Sequence, residues 1–369
     1  MSTKKFHGIF YTRNADYILR GFPTNDLTDI VEPFAGDGDL IKWALNSAPD
    51  VRVSAYDISP PNPHITVGAN EVAIEVRDTL LNPPDYTNAW ILTNPPYLAR
   101  NKAQNKEIYD LYDTNDLYKA FILSIKECLG GIIIIPASFL LSPRDIDVRC
   151  RHHLLSKYRI TKLRYFEEQV FDDTTTTVIA LMFAKSETEL SEQNVVVEIC
   201  RDSTLSEVEF NICTQDKWII GGDIYTINNG VINCINNTII TNLVVRRFVV
   251  GSTLKQGEYQ TYMILNALDS GKQNGRISLT YKRDYVYQAK ESSRTFATMI
   301  VSRELSEDEQ IKVCQMFNDF LEEKRKKYYS LFLPQYRESK EYARKRIPFE
   351  LAYRIIASMI QSLESIQSK

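Results

Sequence analysis

Short Val- and Ile-rich runs alternate with helix-like segments through the first half of this chain, and nothing else in it constrains the fold as strongly. The runs are "LTDIVEPF", "VRVSAYDI", "VAIEVRD", "AWILTN" and "GIIIIPASFL", with helical patterns at Leu40–Leu45 and around Leu117–Leu129. Such alternation predicts an α/β fold whose mostly parallel, Rossmann-like sheet carries helices on both faces. "KLRYFEEQVF", "DDTTTTVIALMFAK" and "VVVEIC" read as further strands, the second favoured by its four threonines. Between the last two, the polar stretch "SETELSEQN" reads as an exposed loop or linker. With 369 residues available, two domains are expected, 1–185 and 186–369. The second half is less regular and reads as α+β. Its best-marked helices are "SEDEQIKVCQMFNDFLEEKRKKYY", with Ser306 and Glu309 at capping-box spacing, and "IPFELAYRIIASMIQSL", with Pro348 in its first turn.

Parallel sheets bind ligands beyond the carboxyl ends of their strands, at a point where the strand order reverses. Both "EPFAGDG" and "NPPY" stand where a strand should end, so one cleft can hold both. Gly36-Asp37-Gly38 permits a tight turn and lets a ligand approach without a Cβ in the way, although ordinary turns use the same residues. Asp57 ends the next strand about 20 residues on, where a carboxylate can bind ribose hydroxyls, and Asp78 follows the strand after that. Acceptors at successive strand ends suit an adenosine-containing ligand better than a phosphate, which would want donors or cations. Loop carboxylates and helix caps are the alternative for both aspartates. After "WILT", the pair Pro95-Pro96 removes two backbone donors, so this segment ends a strand and cannot continue inside a sheet.

"EPFAGDG" followed by "NPPY" resembles the S-adenosylmethionine-dependent amino-methyltransferases of DNA, in particular the adenine-N6 enzymes of restriction-modification systems. The N-terminal "GIFYTRNADYIL" is similar to their cofactor-side motif, with Arg13 where proline is usual. About 55 residues separate the glycine loop from "NPPY", too few for a recognition domain, which must then lie C-terminal as in the gamma class. The resemblance covers residues 6–185. It implies S-adenosylmethionine as cofactor, contacted by Tyr11 and Thr12, by Glu32, Pro33, Phe34, Ala35, Gly36 and Gly38, and by Asp57, Ile58, Asp78 and Asn94. It also implies catalysis by Asn94, Pro95, Pro96 and Tyr97.

The chemistry explains the residue types. The exocyclic amine of adenine is a poor nucleophile because its lone pair is delocalised into the ring. If the Asn94 side-chain oxygen and the Pro95 carbonyl each accept one N6 hydrogen, the nitrogen becomes tetrahedral and its lone pair points at the methyl donor, a matter of positioning and preorganised electrostatics. Tyr97 then offers a stacking face. The resemblance places an aromatic residue, Phe171, against the base's other face, with a core phenylalanine as the alternative. A base inside a duplex must be flipped out to reach such a site.

Charge divides the chain. From Thr241 onward there are 22 Lys and Arg against 15 Asp and Glu, while the first 240 residues hold 22 against 32. The basic half suits an anionic partner such as double-stranded DNA, although a solvated Lys/Arg-rich surface fits the charge equally well. Lys282 and Arg283, and Arg344, Lys345 and Arg346, are candidate phosphate contacts; Lys272, Asn274 and Arg276 in one loop are candidates for base readout. Six scattered cysteines and four histidines lack metal-ligand spacing, so neither a metal nor a disulfide framework is expected. None of the cysteines follows a proline, which argues against carbon methylation of cytosine. Cytosine N4, a glutamine amide of a protein, or RNA pose the same lone-pair problem and remain alternatives, as does a binding module without turnover. No signal segment or apolar span is present, so a cytoplasmic monomer, functionally paired with a restriction endonuclease, is the expectation.

Overall fold

A computed structural model describes residues 12–171, 176–227, 243–269, 276–329, 331–333 and 345–367. The chain divides into two compact units, and the break falls between Ile220 and Gly221.

The first unit is built on a ten-stranded sheet. Its strands are β1 (Asp29–Glu32), β2 (Arg52–Asp57), β3 (His64–Val67), β4 (Asn70–Val76), β5 (Trp90–Thr93), β6 (Gly130–Pro136), β7 (Tyr158–Phe166), β8 (Val178–Lys185), β9 (Glu192–Arg201) and β10 (Thr204–Cys213), in the spatial order β10-β9-β7-β8-β6-β5-β1-β2-β4-β3. The run β4-β2-β1-β5-β6 is parallel throughout. β8 enters antiparallel between β6 and β7, so the sheet is mixed although its centre is the parallel α/β arrangement that the sequence predicts. From β1 the chain moves first to β2 on one side and later to β5 on the other. That reversal creates the crevice at the carboxyl ends of β1 and β5.

Burial follows from the apolar runs. Ile132 and Ile134 of β6 join one core cluster with Ile18, Ile41, Ala44 and Leu45, while the alternate residues Ile133 and Ile135 are equally buried. Both sheet faces are therefore covered. The helices supplying the first cluster are α1 (Ala15–Ile18) and α2 (Asp39–Ser47); α3 (Glu107–Leu111), α4 (Leu117–Ser124), α5 (Ser138–Leu141) and α6 (Asp145–Leu155) follow.

Two sequence expectations are corrected here. The "SETELSEQN" stretch is the expected exposed loop over 186–191 but no interdomain linker, since its last three residues open β9 and the first compact unit runs on past residue 185: β9 pairs parallel with β7, and β10 pairs antiparallel with β9. Gln193 is the one buried residue of the stretch. Its buried amide accepts from the Ile160 N–H and donates to the Leu155 and Tyr158 carbonyls, closing backbone groups at the start of β7. The second correction is the β3–β4 hairpin, where one strand was expected; Gly68, at φ +58°, makes its turn.

The second unit is α+β. A four-stranded antiparallel sheet has the order β11 (Val245–Arg247), β15 (Phe296–Val301), β12 (Tyr259–Asn266), β14 (Ser278–Tyr281), and a two-stranded piece joins β13 (Leu268–Asp269) to β16 (Lys345–Arg346). Helix α7 (Glu307–Tyr328) starts with the expected capping box, Ser306 Oγ accepting from Glu309 N and Glu309 accepting from Ser306 N. Helix α8 (Phe349–Gln367) begins directly after Pro348. Edge strand β14 is closed by α7: the Asn318 amide both accepts from Leu279 N and donates to Leu279 O, each at 2.9 Å. No helix among the described residues is long and apolar enough to cross a membrane.

Candidate active site

A cavity of about 150 Å³ opens at the carboxyl ends of β1, β2, β4 and β5. From the N-terminal segment Thr12 reaches it, and from β1 and its loop Glu32, Phe34, Ala35 and Gly36. Asp57 and Ile58 arrive from β2, Asp78 from β4, Asn94 and Pro96 from β5. Ten of the residues singled out from sequence thus share one wall. Pro33, Gly38, Pro95 and Tyr97 belong to the same loops without lining the cavity. Tyr11 lies outside the described residues.

The glycine loop is shaped by backbone need. Gly36 and Gly38 have φ of +51° and +76°, and a Cβ on Gly38 would run into the Ile65 side chain. The Ala35 N–H donates to the Tyr56 carbonyl at 2.8 Å, and the Gly36 N–H to Asp57 Oδ2 at 2.9 Å. Asp57 Oδ1 accepts from Ser59 N at 2.7 Å, so this carboxylate welds the β1 and β2 loops together. Each of its oxygens still has acceptor capacity for a ligand. Asp78 Oδ1 accepts from the N–H groups of Leu80 and Leu81, closing the turn after β4. Next to it, buried Thr79 donates to the Pro33 carbonyl at 2.9 Å.

Glu32 is the least satisfied group of the site. Its Oε1 accepts from Phe34 N at 3.0 Å and Thr93 Oγ1 at 2.6 Å, but its Oε2 is buried without a hydrogen-bond partner. Burial pushes its carboxyl from an ordinary 4.5 up to about 8, against the two hydrogen bonds and with the Asp57 charge adding to the rise. A buried carboxyl with an open oxygen on a cavity wall invites a cation, whose arrival favours the charged form.

Asn94 is 7% exposed, and its amide is held at both ends. Nδ2 donates to Thr12 Oγ1 at 3.0 Å, and the Tyr97 hydroxyl lies 2.5 Å from Oδ1 and 2.7 Å from the Ile134 carbonyl. Burial, with the nearby Asp116 charge, raises the phenol's pKa, so it keeps its one proton, which these two oxygens share between them. The Tyr97 ring meets Tyr118 edge-on. The hydroxyl end of Tyr97 is therefore spent on the amide and the strand, a role that reading the motif for stacking did not foresee. Phe171 is 4% exposed and sits in the core cluster with Phe166 and Val170, outside the cavity lining. The structure gives it the core-phenylalanine alternative.

Sequence reading missed several lining residues. Thr79 and Leu80 immediately follow the singled-out Asp78, a signal that was present. Ile108 and Leu117 come from the long excursion after "NPPY", whose ends are tied by Arg100 N to the Asn115 carbonyl and Leu117 N to the Leu98 carbonyl. Nothing local marks them.

The basic candidates of the second unit are dispersed. Exposed Arg276 pairs with Glu322 at 3.0 Å, Lys282 lies over the Tyr285 ring, and exposed Arg283 stands 3.7 Å from Asp284. Arg346 is half-buried, its guanidinium over Phe349. Lys345 is corrected: it is 5% exposed with its amine toward the Tyr329 carbonyl, because β16 pairing with β13 turns it inward, so it cannot meet a phosphate at the surface. Lys272, Asn274 and Arg344 lie outside the described residues.

Residues 89–171 match the family model of the Eco57I restriction-modification methylase. A comparison with curated proteins gave no match. Among solved structures, a modification subunit assigned to a type I restriction enzyme of Vibrio vulnificus YJ016 is 16% identical with a TM-score of 0.42, over 53% of this chain and 48% of that one. The methyltransferase subunit of a type I restriction-modification system from Streptococcus thermophilus is 15% identical at 0.38, over 51% and 47%. The M protein of the type I restriction enzyme EcoKI is 15% identical at 0.38, over 53% and 49%. The chain spans about half the length of these three structures, and likeness at such scores carries no argument about its chemistry.

Proposed function

We propose that this chain is an S-adenosylmethionine-dependent DNA methyltransferase of restriction-modification type, acting on the exocyclic N6 of a flipped-out adenine. One observation carries the reading: Asn94 of "NPPY" shares a cavity with the glycine loop, Glu32 and Asp57, which brings an amine-gripping amide and a nucleoside cradle together. The family-model match over residues 89–171, which includes "NPPY", supports it.

The residues present fit the cofactor. The open oxygen of Glu32 suits its ammonium group, Asp57 its ribose hydroxyls, and Ile58, 53% exposed at the cavity, a face of its adenine. Gly36 and Gly38 let the backbone close on it. Bound there, the cofactor supplies an electrophilic methyl group. Asn94 Oδ1 and the Pro95 carbonyl accept the two hydrogens of the target amine and turn its lone pair outward. The paired prolines hold that carbonyl rigidly. The exposed basic side chains of the second unit, Lys282 and Arg283 among them, serve DNA phosphates, and Arg276 base readout. A cognate endonuclease is the functional partner in this reading.

Incubating the purified chain with methyl-labelled S-adenosylmethionine and unmethylated duplex DNA, RNA or protein tests the proposal. Label should be recovered as N6-methyladenine from the duplex. Recovery as N4-methylcytosine, or in RNA or protein instead, overturns it.

A further inference from the structure

Thr12 and Asn94 meet across 82 sequence positions, Thr12 Oγ1 accepting from Asn94 Nδ2 at 3.0 Å. Both side chains are buried, at 5% and 7% exposure. A threonine hydroxyl both donates and accepts, so its contact fixes where the carboxamide sits, and in this structure the N–H end is the one it meets. An amide turned the wrong way would offer N–H groups to an amine, donor against donor. Here Thr12 receives the N–H end and the Tyr97 hydroxyl approaches the oxygen end.

Thr12 is itself held in place. Its carbonyl accepts from Ala15 N at 3.0 Å, which opens α1. The far end of that segment is clamped by Arg164 of β7, which donates to the carbonyls of Ile18 at 3.0 Å and Arg20 at 2.8 Å. Arg164 is 3% exposed and ion-paired at 2.6 Å with Glu198 of β9. A charge pair built into the sheet thus fixes the N-terminal segment from which Thr12 reaches the amide.

We infer that Thr12 is a positioning residue for the transfer step, anchoring the Asn94 amide where the target amine must meet it. The inference rests on the transferase reading and extends it, since the resemblance gives Thr12 a cofactor contact and no part in orienting the amide.

Thr12→Val keeps the side chain's shape and removes the hydroxyl; Thr12→Ser keeps the hydroxyl. In the full chain, single-turnover transfer to duplex DNA at saturating cofactor should fall roughly tenfold or more in Thr12→Val. S-adenosylhomocysteine affinity is read beside it, because losing a cofactor contact alone changes Kd and spares the saturated rate, and Thr12→Ser should recover most of the rate. An unchanged rate in Thr12→Val, or a weakened Kd with full transfer at saturation, overturns the inference. Labelling with 15N-asparagine reads the same bond without turnover. The Asn94 side-chain NH2 signals should shift and exchange faster with water in Thr12→Val only, and unchanged signals count against the inference. A chain that methylates none of the substrates overturns the transferase reading and with it the part Thr12 plays in transfer, whereas unchanged amide signals in an active chain overturn the positioning of Asn94 alone.

Discussion

The cavity of the first unit and the basic surface of the second use polar residues in opposite ways. Around the cavity Thr12, Glu32, Asp57 and Asn94 are at most 8% exposed and are cross-linked by hydrogen bonds of 2.6–3.0 Å between segments distant in sequence. On the second unit Arg276, Lys282 and Arg283 are exposed, Arg276 paired with Glu322 and the other two beside residues one to three positions away. Buried groups have few ways to move, so deleting one should be felt sharply, while exposed charges act through a screened and additive field. The contrast separates buried polar groups that tie segments together from exposed charges that lie in water.

The harshest test of that contrast is Asn94→Ala. Methyl transfer should drop on the order of a hundred- to a thousandfold, as for a lost preorganised contact, while cofactor affinity measured by calorimetry stays close to normal. Full turnover in this variant would erase the distinction altogether.

Arg164→Ala probes the support beneath the cavity. Removing one member of a buried pair leaves Glu198 with Lys162 alone, and the loss should be about 3 kcal/mol in urea denaturation. A change within a few tenths of a kcal/mol would mean that the clamp on α1 carries no load.

The pH dependence of Glu32 sharpens the comparison further. In the folded chain burial keeps its proton up to about 8, whereas the unfolded chain releases it near 4.5. Folding therefore binds a proton between those values, and this group's contribution to stability falls as pH rises through that window. A cation placed against Oε2 favours the charged form, so binding S-adenosylhomocysteine, with its ammonium group, should expel a proton. Affinity should then rise between pH 6.5 and 8, by at most about tenfold per unit, relative to Glu32→Gln, in which that slope is absent. Calorimetry in buffers of different ionisation enthalpy checks this, and equal slopes in both proteins would remove the assignment.

The smallest effect belongs to the second unit. Replacing Arg283 by Ala should weaken DNA binding only a few-fold and lower the salt slope of log affinity by roughly one. Lys345→Ala should instead destabilise the fold with little change in that slope, since its side chain is buried. A filter-binding series in salt separates the two, and equal salt slopes for both variants would break the distinction between surface and interior.

Much of the first unit was legible in the sequence because its signals are local. Gly36 and Gly38 mark a turn that requires positive φ, Pro95-Pro96 mark the end of a strand, and the all-buried "GGIIIIP" of β6 marks a strand covered on both faces. The Ser306–Glu309 capping box was readable for the same reason. What escaped was decided between distant segments. The "SETELSEQN" polarity suggested an exposed loop or linker, and it does hold a loop, yet Gln193 is buried because three backbone groups from residues 155–160 converge on it. Ile108 and Leu117 reach the cavity only because the excursion after Asn94 folds back on itself. Lys345 looked like one more surface cation until pairing with Asp269 turned it inward.

By itself the sequence determined which short segments become strands, where the chain must turn, and which residue types stand at the strand ends, since propensity and backbone sterics act over a few neighbouring positions. Only the tertiary structure decided that β8 slips antiparallel between β6 and β7, that Glu32 keeps an oxygen unpartnered, and that Thr12 grasps the amide of Asn94. Those outcomes depend on packing and solvent exclusion among groups remote along the chain, and no local pattern encodes them.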